Sequence, residues 1–152
     1  MKILMVCLGN ICRSPMAEGI LRAKTAEAGL AWQIDSAGTE SYHVGEPPHK
    51  NSILTCKENG IDISQQRARQ IQIADFEAYD IIYALANDVY KDIAYFAKDK
   101  TNLQKVKLLM DEIAPGQKLS VKDPYYGTKI DYEEVFALLC EVSDVIIQKY
   151  SQ

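Results

Sequence analysis

The sequence has 152 residues, with 17 Lys+Arg against 21 Asp+Glu, a formal net charge of -4 and 47% hydrophobic residues. A chain of this size and composition can bury a core without disulfide staples or a structural metal. Its mild acidity excludes binding of nucleic acid or of an anionic membrane through bulk charge, so any phosphate recognition has to be local.

The first segment, Lys2 to Cys7, is a nearly continuous run of Ile, Leu, Met and Val, the pattern of a strand buried on both faces of a parallel sheet. The run is too short for a signal-peptide core or a membrane span, which gives the expectation of a cytoplasmic protein with no membrane insertion. From Ser14 the apolar residues Ala17, Ile20, Leu21 and Ala28 recur at helical spacing, with Pro15 in the first turn and Gly29 as a stop. A second strand is expected at Trp32 to Ala37. A Gly- and Pro-containing loop follows through Pro48, then a helix to about Asn59 capped by Gly60. Tyr79 to Leu85 reads as a third strand and Lys105 to Met110 as a weaker fourth. Ile130 to Tyr150 is the clearest helix, with Val135, Leu138, Leu139, Val142 and Ile146 on one stripe and Asp131 with Glu134 as its expected capping box. No repeat or linker divides residues 1–152, so the expectation is one α/β domain with a parallel sheet. Such sheets bind ligands beyond the carboxyl ends of their strands.

The segment Cys7-Leu8-Gly9-Asn10-Ile11-Cys12-Arg13-Ser14-Pro15 falls between the first strand and the first helix. Gly9 and Asn10 tolerate left-handed backbone states that turn successive N–H groups inward, and the helix start adds the positive end of its dipole. Together they form a cradle for a tetrahedral oxyanion. One turn of this loop brings a Cys7 thiolate beneath a bound phosphorus while the Arg13 guanidinium grips two equatorial oxygens. Cys7 is then a ready nucleophile. The competing reading is a small core residue at the end of a buried strand. The flanking strand, the Gly-Asn pair, Ser14 and the helix start, all in register, favour the catalytic one.

The four cysteines, Cys7, Cys12, Cys56 and Cys140, read as free thiols rather than a disulfide framework. There is no C-x-x-C, and only His43 and His49 supplement them, so no zinc site is expected.

CLGNICRSP, SAGT at Ser36 to Thr39 and DPYYG at Asp123 to Gly127 resemble the low-molecular-weight protein tyrosine phosphatases. The resemblance covers the whole chain in length, motif order and the long final helix. It implies a single three-layer domain, a four-stranded parallel sheet flanked by helices in a flavodoxin-like arrangement (phosphotyrosine protein phosphatase I-like). It also implies metal-independent, cofactor-free hydrolysis of phosphotyrosine in proteins, with inorganic phosphate as product. In that scheme Cys7 forms a phosphocysteine, while Arg13 and the loop from Leu8 through Gly9, Asn10, Ile11 and Cys12 to Ser14 hold the phosphoryl group. Ser14 assists sulfur departure and Asp123 is the general acid and then base. Ser36 would hold Asn10 in a strained state, and Tyr42 and Tyr125 would be the aromatic walls for the substrate ring, with Tyr42 otherwise an ordinary surface residue. His43 would bear on substrate choice. Cys12 would be the redox partner of Cys7, or else a packing residue. A monomer is expected, with a weak dimer permitted through Tyr125 and Tyr126.

The chain departs from the pattern at Gln66, where many members have His, and at Ala86, where many have Asp. Both changes bear on the support behind the phosphate loop. Thioredoxin-coupled arsenate reductases need two further cysteines after the third strand, and Ala84 to Tyr90 has none. Arginine phosphatases of the fold carry Thr where Ile11 stands, so Ile11 favours an aryl phosphate. The rival class is a phosphate-binding or redox-sensing module without turnover, against which Asp123 argues: binding alone needs no proton donor facing a leaving group.

Overall fold

The structure is a computed structural model describing residues 1–152. Its elements are β1 (Lys2–Cys7), α1 (Arg13–Glu27), β2 (Gln33–Gly38), α2 (Lys50–Glu58), α3 (Asp75–Ala78), β3 (Ile81–Ala84), α4 (Asn87–Ala97), α5 (Lys100–Leu103), β4 (Val106–Leu108) and α6 (Lys129–Tyr150). A short 3-10 turn, Leu109–Glu112, follows β4.

The strands form one parallel sheet in the order β2-β1-β3-β4. Strand alternation divides β1 between two cores. Ile3, Met5 and Cys7 face a layer built with Ile20, Leu21, Val135 and Leu139 from α1 and α6. Leu4 and Val6 face a smaller one with Phe76, Val89 and Ile93 from α3 and α4. The sheet is therefore sandwiched between helical layers, the expected three-layer α/β fold. The chain leaves β1 for β2 on one side and returns to pair β3 on the other, so the strand order reverses at β1. The carboxyl end of β1 is consequently the crevice of the sheet. No helix is long and apolar enough to cross a membrane.

Three expectations need correction. The capping box of α6 lies earlier than Asp131 and Glu134: Thr128 is the N-cap, and Asp131 reaches back as its third helical residue, accepting from the Thr128 backbone N–H at 2.7 Å. The fourth strand closes after Leu108, where Leu109 and Met110 turn inward to the larger core. The third strand is limited to Ile81–Ala84, since Tyr79 ends α3. Helix α4 was not read from the sequence: Ala86 gives it no side-chain cap, and Val89, Ile93 and Ala97 supply one buried residue per turn amid charged neighbours.

Candidate active site

Where β1 ends, the chain must turn into α1 across Leu8–Cys12, and it does so over the last residue of β2. A Cβ on Gly38 would stand 2.7 Å from the Leu8 carbonyl oxygen and 3.1 Å from the Asn10 nitrogen, so only glycine lets the loop settle there. Backbone N–H groups of Thr39 and Glu40 donate to the Cys7 and Leu8 carbonyls at 3.0 and 2.9 Å, and that of His49 donates to the Ile11 carbonyl at 2.7 Å. The loop is thus fastened to β2 and to the start of α2 before any side chain acts.

Asn10 sits at φ +59°, the left-handed region that costs a non-glycine residue strain. Its side chain is held at three points. Oδ1 accepts from the Arg69 backbone N–H at 3.0 Å, and Nδ2 donates to Ser36 Oγ at 3.0 Å and Ser14 Oγ at 2.8 Å. Ser14 Oγ lies 2.9 Å from Cys7 Sγ. Since Ser14 already accepts from Asn10, its proton is free for the sulfur, a bond that a sulfur anion accepts well. Ser36 in turn donates to Glu18 Oε1 at 2.7 Å.

Arg13, the first residue of α1, is 5% exposed. It donates to the Val121 carbonyl at 3.1 Å, and its other terminal nitrogen lies 3.5 Å from Asp123 Oδ2. One guanidinium therefore ties the loop to the segment bearing the carboxylate. Asp123 Oδ1 accepts from the Tyr125 backbone N–H at 3.1 Å, which fixes the turn presenting it.

Cys7, Leu8, Gly9, Ile11, Cys12 and Arg13 floor a cleft of about 190 Å³, and Glu40, Tyr42, His43, Asp123, Tyr125 and Tyr126 wall it. Asn10, Ser14 and Ser36 lie behind the floor, their side chains turned away from the cleft into the support. The walls are far more exposed than the floor: Tyr42 is 81% and Tyr126 96% accessible, against 2% for Cys7. The floor is the N-terminal end of α1, whose dipole and free amides suit an anion.

Cys12 faces the same floor but differs chemically. Burial pushes its thiol up to about 12, despite the Tyr132 hydroxyl 3.5 Å away, so it stays neutral at physiological pH. All four cysteines are free thiols, Cys56 buried and Cys140 partly so. Tyr132 also stacks on His49, 5.2 Å between ring centroids, and His49 meets Tyr125 edge-on at 5.8 Å. The His49 ring nitrogen caps α2 by accepting from Asn51 N–H at 3.1 Å, and burial holds its pKa below the usual imidazole value.

Sequence reading missed Glu18, Arg69, His49 and Tyr132, all supports of the site, as well as Glu40 and Tyr126 in the cleft wall. Glu18 carried a signal in hindsight, being a carboxylate on the inward face of an otherwise apolar helical stripe. At the departures, Gln66 donates to the Pro15 carbonyl at 3.1 Å while its buried Oε1 has no partner. Ala86 is buried at the entry to α4.

The family model for low molecular weight phosphotyrosine protein phosphatase matches residues 2–149. A Synechocystis chain assigned to the low molecular weight protein-tyrosine-phosphatases is 44% identical, over 91% of this chain and 89% of its own length. A low molecular weight protein-tyrosine-phosphatase of Bacillus subtilis is 38% identical, over 99% and 97%. Among solved structures, a protein tyrosine phosphatase from Entamoeba histolytica superposes with a TM-score of 0.92 at 32% identity, covering 99% of this chain and 97% of its own.

Proposed function

Because the chain belongs to the low molecular weight phosphotyrosine protein phosphatase family and is accordingly a protein-tyrosine-phosphatase, we propose that it works through a phosphocysteine at Cys7, with Arg13 as phosphate clamp and Asp123 as proton donor. The observation carrying this reading is the Cys7 sulfur on the floor of an amide-lined cleft, 2.9 Å from the Ser14 hydroxyl.

The Cys7 sulfur attacks phosphorus in line with the departing oxygen, while Arg13 and the loop amides hold the equatorial oxygens as their charge redistributes. Protonated Asp123 gives its proton to the leaving tyrosyl oxygen, whose parent acid has a pKa of about 10. Asp123, now a carboxylate, takes a proton from water as that water attacks the phosphocysteine. The S–P bond breaks, inorganic phosphate leaves, and the Ser14 hydroxyl receives the sulfur anion. Tyr42 and Tyr125 flank the substrate ring, and the apolar surface of Ile11 on the floor suits an aryl group.

Two further roles belong to the same reading. Neutral Cys12 cannot compete as nucleophile, so oxidation by peroxide begins at Cys7: the sulfenic acid formed there loses water to the Cys12 thiol, and a disulfide results. Thiol reductant returns both sulfurs. The protein acts in the cytoplasm as a monomer, Tyr125 and Tyr126 offering a weak self-contact.

The test is phosphate release from a phosphotyrosyl peptide in excess chelator, alongside Cys7→Ser and a phosphoarginine substrate. Chelator-resistant turnover of the tyrosyl substrate that vanishes in Cys7→Ser supports the reading. Well-folded protein that binds phosphate without turnover, or that prefers phosphoarginine, overturns it.

A further inference from the structure

Behind the phosphate loop lies one charged group that the proposed chemistry leaves unused. Glu18, on the inward face of α1, is 3% exposed. Its Oε1 accepts from Ser36 at 2.7 Å and its Oε2 pairs with Arg22 at 2.9 Å. From Ser36 the bonds run to Asn10, from Asn10 to Ser14, and from Ser14 to the Cys7 sulfur, every link 3.0 Å or shorter.

The donors in this chain point consistently with Glu18 ionised: Oε1 takes Ser36 and Oε2 takes Arg22, so an added proton has to displace one of the two donors. A carboxylate oxygen has no proton, so Ser36 must donate to it, which leaves the Ser36 oxygen to accept one Asn10 N–H. The second Asn10 N–H goes to Ser14, whose proton is then directed at sulfur. A proton on Oε1 would make Glu18 the donor. Ser36 would then hold two incoming donors and a hydrogen with no acceptor in the chain, weakening the hold on Asn10 at its strained φ of +59°.

Beside Glu18 is a polar cavity of about 220 Å³ into which Arg22, Asp35, Gln66 and Arg67 also project. Gln66 brings no charge there, and its buried Oε1 has no partner.

We propose that Glu18 is a positioning residue whose ionised carboxylate sets the direction of the Ser36-Asn10-Ser14 chain, so that the charge on Glu18 tunes the reactivity of the Cys7 sulfur. Burial lifts the Glu18 carboxyl to about 7, against the pull of Ser36 and Arg22, with Asp35 raising it and Arg69 lowering it. Asp62 and Arg67, the other charged groups lining the cavity, are on the loop after α2. The proposal rests on Cys7 being the nucleophile.

The experiment is the rate of Cys7 alkylation by iodoacetamide, which does not itself titrate, followed from pH 4 to 9 by peptide mass mapping with steady-state turnover in parallel. The wild type should show, besides the sulfur's own ionisation, a second inflection near pH 7 with an amplitude of about two- to fivefold. Glu18→Gln keeps an acceptor for Ser36 and should lose that inflection. Arg22→Gln, which removes a cation at an accessible position outside the loop, should move it to higher pH. A profile in Glu18→Gln superimposable on the wild type, or an inflection unmoved by Arg22→Gln, overturns the role of Glu18 and leaves Cys7 chemistry standing. Undiminished turnover in Cys7→Ser overturns the catalytic reading and this one with it.

Discussion

The floor and the walls of the cleft are built on opposite plans. The floor is buried and held from behind: Asn10 alone makes three side-chain bonds to Arg69, Ser36 and Ser14. The walls stand in solvent. The Asp123 side chain is 45% exposed, and Tyr42 and Tyr126 are more exposed still. An anion cradle must present its amides in place before charge develops, and only a rigid support does that. A wall that admits a protein-borne side chain and releases its product gains from being loosely tied.

Disturbing each plan should therefore fail in a different way. The largest effect is expected where wall meets floor, at the Arg13–Asp123 contact. Asp123→Asn should lower kcat about 10²–10⁴-fold for phosphotyrosine, and much less for an aryl phosphate whose leaving group needs no proton. Equal losses for both leaving groups in a steady-state comparison would remove Asp123 from the acid role.

Next comes the floor itself. Asn10→Ala loses three bonds and puts alanine at a left-handed φ, so stability should fall by about 1–3 kcal/mol and kcat/KM by about 10–100-fold. Asn10→Gly relieves the strain without restoring the bonds. Thermal unfolding should recover in that variant while activity does not, separating support from strain.

A third effect concerns pH and stability. With the folded Glu18 carboxyl near 7 against an ordinary 4.5, the folded state binds more protons than the unfolded one between those values. The Glu18 contribution to stability is therefore full below pH 4.5 and is lost as pH rises through 7, by at most about 3 kcal/mol. Glu18→Gln should flatten the Tm-against-pH curve in that window, measured by calorimetry. The smallest effect is expected at the wall: Tyr126→Ala should leave Tm and kcat unchanged and raise KM for a protein substrate only a few-fold, about the worth of one partly exposed aromatic contact.

The same contrast explains what the sequence disclosed. Strand, loop and first helix are contiguous, so periodicity at Lys2–Cys7 and turn chemistry at Gly9 and Asn10 placed the loop directly. Asp123 and Tyr125 were found through a resemblance in a short motif, and Arg13 brings that motif to the loop. The support was hidden for a physical reason. Glu18 is adjacent to nothing catalytic in sequence, Arg69 contributes a backbone N–H that any residue but proline possesses, and His49 and Tyr132 act through ring contacts between distant helices. Helix α4 escaped although Val89, Ile93 and Ala97 recur on one face with Tyr90 and Phe96 packed beside them, because no side chain caps its start at Ala86.

The ties that hold the loop also set a timetable. Asn10 reaches Ser36 across 26 positions and Arg69 across 59, and Arg13 reaches Val121 across 108. No fragment ending before Val121 contains all three. A chain emerging from synthesis, or refolding from denaturant, gains its cradle only when these distant segments have closed on β1, contacts of the kind that form slowly. Recovery of turnover during refolding should lag behind recovery of helical signal, which makes activity a reporter of the last long-range closures.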